Sequence, residues 1–82
     1  MGKVRLKLHD LRKILRSFDV NEDKSRGKGG HTLFWKDFPD GRFSYPIPDK
    51  PDVLPCYVKG ARRKFRLLPE DGVTDDEFFG RG

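Results

Sequence analysis

The sharpest chemical feature of the sequence is Gly29-Gly30-His31, a titratable ring placed after two glycines that let the backbone approach a ligand closely, with Arg26 and Lys28 just upstream. Histidine is the side chain whose unperturbed pKa lies near neutral. A general base acting on an RNA 2′-hydroxyl needs such a group, and neighbouring cations stabilise the charge that develops on a phosphate. Spacing alone leaves a blander use open, in which His31 merely begins a strand on a partly wet sheet. The glycines lack the lysine followed by Ser or Thr of a phosphate loop, and no apolar strand leads into them, so nucleotide hydrolysis is rejected.

A second feature is the run Lys59, Arg62, Arg63, Lys64 and Arg66, followed by Glu70, Asp71, Asp75, Asp76 and Glu77. Helical spacing brings Lys59, Arg62, Arg63 and Arg66 toward one side, which suits either a solvated helix face or a surface that tracks phosphates. Phe34, Trp35, Phe43 and Tyr45 have the chemistry to stack on bases, and core packing competes for each of them. Alternation does not decide between the faces, because Leu33 and Trp35 oppose Thr32 and Phe34. His9 reads as a solvated helix-start residue. Cys56 reads as a small core or boundary residue.

These residues must be positioned by a small number of elements. Leu8, Leu11, Ile14, Leu15 and Phe18 recur at spacings of three and four and predict a first helix over about 8–18, with Arg12, Lys13 and Arg16 on its exposed side. Strands are expected within about 20–47. His31 to Lys36 and Arg42 to Ile47 form the best hairpin signal, with a bulge or wide turn in the Asp37 to Gly41 loop. Pro46, Pro48, Pro51 and Pro55 predict a connecting segment without ladder pairing. A second helix follows over about 57–68, with the basic cluster outward. Thr74 before Asp75, Asp76 and Glu77 reads as the cap of a short last helix over about 74–80 carrying Phe78 and Phe79. The order is helix, two or three antiparallel strands, helix: an α+β fold with helices on one face of a small sheet, in a single domain over 1–82.

Composition narrows the function classes. The 82 residues carry 18 Lys and Arg against 13 Asp and Glu, a formal charge of +5 and a pI near 9.6, with the excess in the first thirty residues. A multi-domain enzyme is excluded. One cysteine excludes an intramolecular disulfide framework and a multi-cysteine zinc site; with two histidines, no metal site and no cofactor are expected. No apolar run reaches the roughly 20 residues of a membrane span, and the chain reads as cytoplasmic with no membrane partner.

The order of elements, together with Gly29-Gly30-His31, the turn Pro39-Asp40-Gly41-Arg42, the strand-ending Pro46, Lys59-Gly60-Ala61 and the acidic segment Asp75 to Phe79, resembles the HicA-type (YcfA-like) mRNA interferase toxins of bacterial toxin-antitoxin systems. The likeness spans nearly the whole chain. It implies a double-stranded-RNA-binding-domain-like fold, His31 as the catalytic residue of a metal-independent, ribosome-independent endoribonuclease, and mRNA as substrate. It also implies a HicB-type antitoxin that covers the active surface in a hetero-oligomer. The RNA-binding residues expected are Arg26, Lys28, Gly29, Gly30, Lys59, Arg62, Arg63 and Arg66. Ile47 stands where the family often has His, and Gly30 where it commonly has Ser. From another class, a non-catalytic RNA-binding module of the same fold would use the same basic helix, with His31 as a contact.

Overall fold

The computed structural model describes residues 6–23 and 30–81. Strand β1 (Leu6–Lys7) leads directly into helix α1 (Leu8–Ser17); β2 (Asn21–Asp23), β3 (His31–Phe38), β4 (Gly41–Pro48) and the short β5 (Asp52–Val53) follow, then α2 (Pro55–Lys64), a 3-10 turn at Pro69–Asp71 and α3 (Asp75–Phe79). The main sheet is antiparallel in the order β2-β3-β4, and β1 pairs with β5 in a separate two-residue ladder. That ladder joins two extended pieces between which the sequence offered no pairing signal.

The α1 stripe is buried as its periodicity predicts: Leu8, Leu11, Ile14 and Leu15 enter one core with Phe34 and Ile47 of the sheet and Val58, Ala61 and Phe65 of α2. Cross-strand partners share a face, so the register Thr32↔Ile47 and Phe34↔Tyr45 puts these four on the helix side. Thr32 and Phe34 are therefore the inward pair. His31, Leu33 and Trp35 point to the other face, opposite Pro48, Pro46 and Ser44.

Two expectations about the strands are corrected. The register pairs Phe38 with Gly41, so the hairpin turn holds only Pro39 and Asp40 and is tight rather than wide. Proline pre-sets the backbone at the first turn position, and Gly41 supplies a φ of +136° at the exit. Pro46 and Pro48 also lie inside the ladder, because β4 is an edge strand and two prolines two residues apart take its outward-facing positions, where no N–H is required. Pro55 is the first residue of α2, a position that needs no donor either.

Helix α2 ends at Lys64, short of the predicted end. Arg66 adopts φ +58°, its N–H donates to Arg63 O and the Leu67 N–H to Arg62 O, a Schellman closure with arginine in the glycine position. Helix α1 closes identically, through Asp19 at φ +67° and Val20 N–H to Leu15 O. Helix α3 matches its expectation, with the Thr74 hydroxyl accepting from the Glu77 N–H. Among the described residues no helix is long and apolar enough to cross a membrane.

Candidate nucleic-acid interface

His31 is the first residue of β3 and is exposed on the sheet face that the helices leave open. It follows Gly30, whose φ of +88° is reached without strain by glycine. The residues on either side of His31 are tied to one residue that the sequence does not single out. Asp49 donates its N–H to the Gly30 carbonyl at 2.6 Å, and its carboxylate accepts the hydroxyl of the buried Thr32 at 2.5 Å. Opposite, His31 pairs with Pro48. The ring thus stands on a fixed backbone at the end of the longest strand pair. Arg26, Lys28 and Gly29 lie outside the described residues.

Along the same face, Trp35 is half-buried and carries the Arg42 guanidinium at 3.9 Å from its ring centroid. Asp37, directly across the ladder from Arg42, accepts from Nε at 2.6 Å and from Nη2 at 3.1 Å. This fork is the first cause of the lowered pKa of Asp37 and of the raised pKa of Arg42. Phe34 is buried, so of the four aromatic residues it has no surface for a base.

The basic cluster does not form one face. Arg62 is buried, a correction to its expected outward position: its Nε donates to the Leu67 carbonyl, Nη2 to the Val73 carbonyl and Nη1 to Asp75 Oδ1 at 2.7 Å, while its guanidinium lies over the rings of Phe78 and Phe79. The early closure of α2 turns the chain back across this side chain, leaving carbonyls that need a donor. Arg66 has left the helix altogether. It bonds Asp40 at 2.6 Å and lies over Phe38 at 4.5 Å, and this hydrogen bond holds the Asp40 carboxyl below its ordinary range. Lys59 and Arg63 remain exposed on α2. On α1, Arg12 and Arg16 share the one carboxylate of Glu22, which offsets part of the basic charge of that helix. Cys56 is exposed rather than core.

Tyr45, on the helix side of β4, packs on α2 at Gly60: a Cβ there would fall on the Tyr45 hydroxyl and ring. Burial is the main reason the Tyr45 pKa is raised, which keeps its hydroxyl a donor. The arrangement therefore offers an exposed imidazole with a stacked Trp-Arg pair on one face, and exposed cations with Tyr45 around the free edge of β4. No family model matches the chain, and neither curated proteins nor solved structures give a match.

Proposed function

We propose that the chain is an endoribonuclease toxin of the HicA type, acting in the cytoplasm on mRNA and held in check by a HicB-type antitoxin. The observation that carries this reading is the setting of His31: an exposed imidazole on the uncovered face of the sheet, directly after a left-handed glycine, with Asp49 bonded to both of its neighbours, the Gly30 carbonyl and the Thr32 hydroxyl. The order α1-β2-β3-β4-α2 supports the finer reading of a double-stranded-RNA-binding-domain-like fold.

In the proposed reaction His31 accepts the proton of a ribose 2′-hydroxyl, whose oxygen attacks the adjacent phosphorus. The bond to the 5′-oxygen breaks, and that oxygen takes a proton from water. The products are a 2′,3′-cyclic phosphate and a 5′-hydroxyl. The chemistry needs a 2′-hydroxyl, so RNA is cut and DNA is not. Positioned cations supply charge stabilisation at phosphorus, a role proposed for Arg26 and Lys28.

The test is incubation of a defined single-stranded RNA with the protein and with His31→Ala, both in excess chelator, followed by end-group analysis. The proposed mechanism gives cyclic-phosphate ends from the wild type and a loss of about 10²-fold or more in the variant. Intact RNA that is nevertheless bound supports the second reading, a non-catalytic RNA-binding module. The observation favouring that reading is the Trp35 and Arg42 stack on the His31 face, a ready surface for an unpaired base.

A further inference from the structure

Around the free edge of β4 lies a pocket of about 470 Å³ lined by Phe43, Tyr45, Gly60, Arg63, Lys64 and Arg66. Three of its six lining residues are cations. Asp40 is the carboxylate that engages one of them, Arg66; among the described residues Arg63 and Lys64 have no ion-pair partner. The floor is aromatic, with the Lys64 ammonium at 5.9 Å and the Arg66 guanidinium at 5.3 Å from the Phe43 ring centroid. Basic residues in the last turn of a helix also complement its dipole. That role does not require them to converge, nor does it explain Arg66. Arg66 occupies a left-handed position that glycine would take without steric cost, and the result is that its guanidinium reaches the pocket.

We propose that this pocket binds a phosphate group, with Arg63, Lys64 and Arg66 as its cations and the Tyr45 hydroxyl as an additional donor. Guanidinium and ammonium groups bind phosphate through charge-assisted hydrogen bonds, and the absence of a side chain at Gly60 is what leaves Tyr45 its place at the pocket wall. The phosphate has two possible sources: a phosphodiester within an RNA strand, or the monoester of a free nucleotide. The first rests on the RNA reading above. It also fixes a path, because the pocket lies on the helix side of β4 at Phe43 and Tyr45, whereas His31 pairs with Pro48 and faces the other way. These points are three to five residues apart along β4, roughly 10–17 Å at the rise of a strand. An RNA that touches both must pass around the open edge of β4.

Backbone amide NMR of the full chain, titrated separately with a 2′-O-methylated RNA oligonucleotide bearing a 5′-hydroxyl, with uridine monophosphate and with inorganic phosphate, tests this directly. Shifts at Tyr45, Gly60 and Lys64 with the oligonucleotide support the phosphodiester source; shifts there with the monophosphate or inorganic phosphate alone support the pocket with the other source. Lys64→Gln and Arg63→Gln should each weaken the ligand that shifts these signals by about tenfold. For the oligonucleotide they should also lower the salt slope by about 0.7. Lys13→Gln, an exposed cation on α1, should cost much less. The proposal is overturned if no probe shifts the pocket signals, or if Lys13→Gln costs as much as Lys64→Gln. Cleavage of RNA that requires His31 with a silent pocket would overturn the pocket and leave the nuclease; pocket shifts with inorganic phosphate and no affinity for the oligonucleotide would do the reverse.

Discussion

Arg62 and Arg63 are neighbours of the same type on one helix, and the structure sends them to opposite environments. Arg62 points to the side where the chain folds back, is 6% exposed, and satisfies two carbonyls and Asp75. Arg63 points to the side of β4, exposed and beside two aromatic rings. Their charge is the same; what differs is whether backbone acceptors have been brought to them. A buried guanidinium is retained only with its donors satisfied, so Arg62 is a clasp for the segment that ends in α3. Arg63 has donors to spare for a ligand. Charge clustering in a sequence therefore sets an upper limit on a binding surface, from which every arginine buried with its donors on the fold's own carbonyls must be subtracted.

The comparison breaks most visibly at Arg62. Arg62→Met keeps much of the packing on Phe78 but leaves the carbonyls of Leu67 and Val73 without their donor, each a cost of about 1–3 kcal/mol when burial persists. The Asp75 contribution is small by comparison, since that carboxylate is mostly in water. Urea unfolding should show a loss of about 2–4 kcal/mol, against less than about 0.5 kcal/mol for Arg63→Gln. Equal losses in the two variants would refute the assignment of Arg62 to structure and Arg63 to the surface.

On the Arg63 side the sensitive contact is Gly60 against Tyr45. Alanine in the middle of a helix is ordinarily better than glycine by about 0.8–1 kcal/mol. Here the added methyl meets the Tyr45 ring, and overpacking of that kind costs about 1–3 kcal/mol. Gly60→Ala should therefore destabilise on balance, by about 1 kcal/mol. In a Tyr45→Leu background, where the ring is gone, the same substitution should stabilise. A double-mutant cycle reads the difference as a coupling between the two positions, and additivity would mean that Tyr45 does not rest on Gly60.

The parts of this arrangement that were legible in the sequence are those set by local rules. The apolar stripe of α1 and the Thr74 cap each depend on residues a few positions apart and are found where they are predicted, whereas the hairpin is found between its two predicted strands but with a turn tighter than expected. What was not legible depends on the partner an element acquires. Pro46 and Pro48 read as ladder breakers until β4 is known to be an edge strand. The end of α2 is hidden because neither of the two Schellman closures uses glycine; the signal that remains is a buried aliphatic residue just beyond, Val20 in one helix and Leu67 in the other. Asp49 carries no signal of its own in the sequence, where it is one polar residue among prolines. Its role exists only because β4 brings it beside Gly30 and Thr32.

Those two helix ends sharpen the comparison at its finest level. Asp19 and Arg66 hold the same left-handed position, but aspartate visits that region readily, whereas a long side chain is held there at a cost of about 1–2 kcal/mol. Arg66 is compensated in part by Asp40, whose carboxyl is drawn below its ordinary value of 3.8 by the guanidinium hydrogen bond. A carboxylate with a lowered folded-state pKa contributes stability that is present above its unfolded value and lost as the pH falls through the folded one. The contribution of this pair is therefore complete above about pH 5 and is lost progressively as the pH falls below that. An NMR titration of the Asp40 carboxyl should give a midpoint below 3.8 in the wild type, moving up toward the ordinary value in Arg66→Gly, where the backbone hydrogen bond to the carboxyl is the lowering cause that remains. The glycine variant should lose the ion pair and yet unfold at a urea concentration no lower than the wild type, because relief of the left-handed strain offsets a pair that is largely solvent-exposed. A wild-type midpoint at the ordinary value would mean that Arg66 is not held by Asp40, and an unfolding midpoint that falls in Arg66→Gly would mean that the backbone is not strained. If both expectations hold, arginine stands at this helix end at the expense of local stability, in the position from which its guanidinium reaches Phe43.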